Sequence, residues 1–254
     1  MFNFDKRILY VILGIYVLMS ITSRLTSQSS ILATIMLIPV ILIAITFHEF
    51  AHAFAADKLG DNTPRNQGRL TLNPLKHLDP VGFALLIVAG FGWGKPVEIN
   101  PRNFKRNISM TKAEAIVSVA GPLTNFILAI ISTIILAVLL KFNLLVNLES
   151  KVMILVIEFI IELIAINFGL GLFNLIPLPP LDGSKILNHF LPYNAREWFA
   201  RNQQIMYIVF LVIWITGIAG MIISPAIKGV IMGSGGLIGK IVGIDLNSIL
   251  ELFL

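Results

Sequence analysis

Three observations predict an all-α integral membrane protein, a polytopic helical bundle of five to six spans. Of the 254 residues, 56% are apolar and only 13% charged, which lies outside the range of soluble domains. The apolar residues are gathered into runs without charge, over 8–23, 25–47, 115–140, 163–181 and 202–227. Most of these reach the roughly 20 residues of helix that a hydrocarbon core requires. Lys and Arg fall between the runs rather than in one basic patch, despite a net charge of +5. That distribution assigns them to topology and argues against nucleic-acid binding.

The elements follow in order. Lys6 and Arg7 precede the first run as in a signal peptide, but no small-residue cleavage site follows, so residues 1–30 are expected to hold a retained additional span. The second run leads into FHEFAH at 47–52. Within the polar stretch 57–112, the apolar segment PVGFALLIVAGFGWG at 80–94 is short for a crossing and is interrupted by Gly90, Gly92 and Gly94. A re-entrant or interfacial hairpin, with or without short strands, is the expected form. The third and fourth runs are joined by a loop at about 141–151, and the fifth is followed by a tail containing Gly229, Gly233, Gly235, Gly236, Gly239 and Gly243. The tail fits either a surface segment or a sixth span. With the N-terminus in the cytoplasm, the inside segments 1–7, 57–112 and 185–204 hold fourteen of the nineteen Lys and Arg. The positive-inside rule therefore favours a multi-pass protein of the cell membrane with that orientation. The expected division is an additional span at 1–30, a core at 31–190 and a C-terminal span and tail at 191–254.

The chemistry lies in FHEFAH, which contains the pattern His-Glu-x-x-His. On a helix, His48 and His52 share one face and can converge on one ion, while Glu49 stands beside them free to act as a general base. Clustered ionisable groups in an apolar helix need a compensating partner, and a divalent cation supplies it. The chain has no cysteine, so any zinc site must be built from His and carboxylate ligands. His48 lies about 13 Å of helix rise from Asp57, which places the site below the bilayer surface.

Asp182 is the best third ligand. It closes FNLIPLPPLDG at 173–183, where Pro177, Pro179 and Pro180 break helix geometry and let the chain turn the carboxylate back toward the core. The charge-based topology brings this end of the fourth span beside the histidines. A capping role for Asp182 at a helix starting near Lys185 is the competing explanation. Glu158 and Glu162 are rivals, expected at the outer interface roughly 30 Å of helix away. His77 and His189 are expected on the solvated cytoplasmic surface.

Together these residues resemble the site-2 protease family of intramembrane zinc metalloproteases. The resemblance rests on HEFAH at 48–52, GPLTN at 121–125 and NLIPLPPLDG at 174–183, with WGKPVEINPRNF at 93–104 as a further element, and covers about residues 31–190. It implies a three-helix catalytic core holding one Zn2+ per chain on His48, His52 and Asp182, with Glu49 as catalytic base. It also implies substrate-binding roles for Asn125 and Asn174, a membrane-associated hairpin near 90–96 and transmembrane protein substrates. The short loop at 141–151 leaves no room for the PDZ insertion of many members, and the tail after Ile227 is expected to exclude a CBS domain. A non-catalytic zinc-binding adaptor is the alternative, which the intact Glu49 disfavours, and a metal transporter would need ligands staged across the bilayer. The sequence does not define the oligomeric state.

Overall fold

The structure, a computed structural model, describes residues 28–89, 94–145 and 149–253; the expected first span, Gly90 and Gly92 lie outside the described residues. The long helices come first in importance: α1 (Gln28–Lys58), α4 (Met110–Lys141), α5 (Ser150–Asn174) and α9 (Ile218–Val242). Each is long and apolar enough to cross a membrane, α1 over Ile35–Lys58. Between α1 and α4 lie α2 (Thr63–Asn66) and α3 (Pro80–Ala89). After α5 come α6 (Asp182–Phe190), α7 (Tyr193–Arg201) and α8 (Gln203–Ile215), and α10 (Leu246–Phe253) follows α9.

The faces of α4 show which solvent these helices suit. Ile116, Val119, Leu123, Ile127, Ile130, Ile134 and Val138 recur every three or four residues and are exposed. The opposite face is buried and carries Ala113, Val117, Gly121, Asn125, Ser132, Thr133 and Ala137. Large apolar groups outside with small and polar groups inside reverse the soluble pattern and match helix packing in a bilayer. α1, α4 and α5 pack on one another, and α9 packs on α4 and α5. Ile157, Ile160, Ile164 and Phe168 of α5 meet Ala129, Leu136, Ile231 and Ile238 in the main apolar cluster.

Two expected boundaries are corrected. The fourth span starts at Ser150 and ends at Asn174, rather than running over 163–181. Burial of Ile157, Ile160 and Ile161 carries the helix through Glu158 and Glu162, which are half-buried within it. The fifth run does not form one span. It breaks at Gly217, whose φ of +74° lies in the left-handed region, so α8 is short and α9, which takes in Lys228 and most of the glycine-rich tail, is the helix of this half long and apolar enough to cross. The glycines serve packing: a Cβ at Gly235 would lie 2.5 Å from Leu250 Cδ1, and one at Gly239 would lie 2.8 Å from the Ile244 carbonyl. α10 can therefore fold back closely on α9. Lys141 Nζ donates to the Val242 carbonyl, so α9 ends beside the end of α4.

The polar stretch between α1 and α4 forms an ordered cap. Asp61, fully buried, accepts from the Thr63 amide at 3.0 Å, the Asn100 amide at 2.7 Å and Asn103 Nδ2 at 3.0 Å. Its pKa is pushed up by burial, but those donors outweigh burial and hold it below the ordinary range. The expected hairpin is a ten-residue helix, α3, flanked by legs that meet in one antiparallel bridge between Leu78 and Gly94. His77 is not on the solvated surface: it is fully buried, its Nε2 donates to the Thr71 carbonyl at 2.7 Å and its carbonyl accepts from the Lys95 amide. His189 is half-buried on α6, 3.4 Å from Thr111 Oγ.

Candidate metal centre

α1 carries His48 and His52 one turn apart, and their Nε2 atoms approach to 3.0 Å. Each Nε2 lies 3.2 Å from Asp182 Oδ2. The other ring nitrogens are spoken for: His48 Nδ1 donates to Asn125 Oδ1 at 2.6 Å, and His52 Nδ1 donates to the Val117 carbonyl at 2.7 Å. Each imidazole therefore keeps its proton on Nδ1 and turns the Nε2 lone pair into the space that the carboxylate also faces. Lone pairs converging in this way repel unless a cation lies between them. Tetrahedral zinc, with bonds of about 2.0–2.1 Å, spaces its ligand atoms by about 3.3 Å. The observed separations fit that ion. A carboxylate facing two imidazole lone pairs completes a donor set of two nitrogens and one oxygen, the type that zinc takes in catalytic sites.

Backbone approach explains why these side chains can meet. Gly121 faces the histidines, and a Cβ there would stand 2.5 Å from His52 Nε2 and 2.7 Å from His48 Cε1. Only glycine lets α4 come so close. After α5 ends at Asn174, the proline-containing stretch 175–181 bends the chain, and α6 begins at Asp182 without using it as a cap. Gly183 is needed for that bend, since a Cβ would lie 2.3 Å from the Leu175 carbonyl oxygen.

Asn125, fully buried, ties the three core helices together. Its Nδ2 donates to the Ala44 carbonyl of α1 at 3.2 Å and to Asn167 Oδ1 of α5 at 2.9 Å, which fixes the amide so that Oδ1 meets His48. Glu49 is half-buried, and its Oε2 accepts from the Val97 amide at 2.9 Å. Asn174 Nδ2 donates within its own helix to the Leu170 carbonyl at 3.0 Å. The structure thus gathers His48, Glu49, His52, Asn125 and Asp182, and leaves Asn174 on the last turn of α5. Glu158 and Glu162 stand apart: among the described residues, the group suited to a metal is His48, His52 and Asp182. Sequence reasoning named Gly121 and Gly183 only as members of motifs, without a role, and missed Asn167. The Gly-Pro pair inside an apolar span and the glycine directly after a ligand were the available signals.

A helical membrane bundle that converges His-Glu-x-x-His and a bend-borne aspartate on one zinc-sized space is the scaffold of an intramembrane zinc metalloprotease. The model of Peptidase family M50 matches residues 148–217. Over 192 residues the chain is 39% identical to the protein named "Putative zinc metalloprotease YwhC" of Bacillus subtilis, spanning 76% of this chain and 85% of that one. Proteins named "Putative zinc metalloprotease Rip2" are 39% identical over 94 residues in Mycolicibacterium smegmatis, 35% of each chain, and 29% identical over 180 residues in Mycobacterium tuberculosis, 68% of this chain and 64% of that one. No solved structure gives a significant match. The chain belongs to peptidase family M50, and it is a zinc-dependent peptide hydrolase of the membrane.

Proposed function

We propose that this metalloprotease cuts transmembrane proteins within or near the bilayer, with His48, His52 and Asp182 holding one zinc and Glu49 acting as general base. The reading rests on one observation, the convergence of three ligand atoms within 4.8 Å of one another beside Glu49. His48 lies ten residues before the end of its span at Lys58, about 15 Å of helix rise from the membrane surface. When bound, zinc supplies a Lewis acid for the scissile carbonyl and a water acidified toward about neutral pH. Glu49 takes a proton from that water and returns it to the leaving amine. Asn125 keeps His48 in the tautomer that leaves Nε2 free, and Val117 does the same for His52. Asn174 keeps the substrate-facing role that the resemblance implies, while the contacts of Asn125 favour an orienting one.

A helical substrate has its carbonyls hydrogen-bonded internally and must unwind before attack. Residues of low helix propensity at its cleavage site favour cutting. The positive-inside count supports putting the metal-bearing end of the bundle at the cytoplasmic face of the cell membrane.

The test is co-expression of tagged single-span membrane proteins with wild type, Glu49→Gln and Asp182→Ala, together with the zinc content of each purified protein. Cleavage is expected to be lost in both variants, with zinc retained in Glu49→Gln and reduced in Asp182→Ala. Unchanged cleavage in Glu49→Gln would sink the mechanism.

A further inference from the structure

Two buried polar side chains of the cap are left unexplained by the zinc chemistry. Arg69 is 4% exposed and His77 is 0% exposed, and Arg69 Nε and His77 Nδ1 find no hydrogen-bond partner among the described residues. Burying a guanidinium is costly unless its charge and donors are put to use. An arginine retained in such a place therefore has a task.

Its contacts define the task. Arg69 Nη1 donates to the Lys76 carbonyl and Nη2 to the Lys95 carbonyl, so one planar fork joins the leg before α3 to the leg after it. His77 fixes the same junction, because its carbonyl accepts from the Lys95 amide at 2.8 Å while its ring is anchored on Thr71. Two residues beyond Lys95, the Val97 amide donates to Glu49. The return leg is also seated on α1: a Cβ at Gly94 would lie 2.8 Å from Ile45 Cγ2, one helical turn before Glu49. Between the guanidinium and the Glu49 carboxylate lie one carbonyl, a short segment of chain and one amide. Glu49 is also among the acidic groups that act on the charge of Arg69.

We infer that Arg69, seated with His77, is a positioning residue for peptide hydrolysis: it holds the 94–97 leg so that the Val97 amide fixes the Glu49 carboxylate for proton transfer. A carboxylate free to rotate spends only part of its time in reach of the reacting proton, whereas a held one is ready at each encounter. Arginine suits the task because its rigid fork spans two carbonyls at once, which a lysine ammonium does not. The inference rests on Glu49 being the base.

The test measures kcat, KM and zinc content with a cleaved single-span substrate in reconstituted vesicles. The proteins are wild type, Glu49→Gln, Arg69→Gln, Val97→Pro and the Arg69→Gln/Val97→Pro double variant. Proline at 97 removes the amide donor. Each single change is expected to lower kcat about tenfold or more, leaving KM and zinc content within about twofold. The double variant is expected to be no slower than the worse single one, since both remove the same contact. Losses that multiply, an unchanged kcat in Val97→Pro, or a defect confined to KM or zinc content overturns the inference. If Arg69→Gln does not fold, Arg69→Lys takes its place, with a smaller loss of kcat expected and an unchanged kcat overturning the inference. An active Glu49→Gln defeats the reading of the base itself, whereas an inactive Glu49→Gln beside a fully active Arg69→Gln defeats only the positioning role.

Discussion

Gly121 serves the metal centre by lacking a side chain. Its α carbon stands where any Cβ would press on both imidazoles, 2.5 Å from His52 Nε2 and 2.7 Å from His48 Cε1. Gly121→Ala must therefore move α4 or turn the rings, and either change pulls the Nε2 atoms out of register. Zinc affinity, measured by competition with a chelator, is expected to fall at least about tenfold, with activity falling alongside. Gly229→Ala is the matched control, because nothing lies within 4 Å of a Cβ there among the described residues. Asn125 acts on the same ligands through hydrogen bonds. Asn125→Ala leaves His48 Nδ1 without its acceptor and Asn167 Oδ1 without its donor, so the imidazole loses both orientation and basicity. Outer partners of metal-bound histidines are worth about 10–100-fold in affinity. That loss, with the helical content of the protein kept, is the expected result in the same chelator titration.

At the scale of elements, the cap has a pH dependence whose sign can be worked out. Burial, the largest cause, pushes the His77 pKa down, with the nearby Arg69 adding to it and the Thr71 carbonyl and Glu49 opposing. The folded chain then binds fewer protons at this site than the unfolded chain as pH falls through the ordinary histidine value of about 6.5, so stability is lost as pH drops below it. Asp61 does not contribute in that window, because its lowered pKa supplies stability that persists until pH falls below about 4. The protection of amides over residues 69–84 and 94–97, taken relative to the intrinsic exchange rate at each pH, is expected to fall between pH 7.5 and 5.5, and His77→Asn is expected to flatten the response. The same element shows where sequence reasoning stopped. The helices of α1 and α4 were legible because their apolar runs are unbroken, and Asp182 was legible because three prolines precede it. The start of α5 was hidden by Glu158 and Glu162, which end a charge-free run without ending the helix. The break at Gly217 was hidden by apolar residues on both sides, and the burial of His77 depends on contacts with Thr71 and Lys95 that a polar stretch does not announce. The three side chains that converge, His48, His52 and Asp182, were all named from the sequence, yet the need for glycine at 121 was not, since it depends on the distance between two helices.

For the molecule as a whole, the corrected C-terminal half makes a topological statement that the uninterrupted fifth run did not. α9 runs alongside α4 and ends next to it, with Lys141 Nζ on the Val242 carbonyl, while the metal centre lies toward the start of α4, at Gly121 and Asn125. The loop after α4 and the residues after α9 must then share one side of the membrane, and the cap between α1 and α4 must face the other. The cap stretch 57–112 alone carries nine of the nineteen Lys and Arg, and the orientation proposed above, with the cap on the cytoplasmic side, rests on that count. The chain has no cysteine, which makes single introduced thiols clean reporters. Asn143→Cys, Ser248→Cys and Arg102→Cys each replace an exposed residue. A maleimide that does not cross membranes, applied to intact cells, is expected to label the first two and to reach the third only after permeabilisation. Labelling of Arg102→Cys alone in intact cells would invert the orientation while keeping the fold. Opposite behaviour of Asn143→Cys and Ser248→Cys would instead mean that α9 does not cross, and that its glycines pack α10 on the same side as the metal.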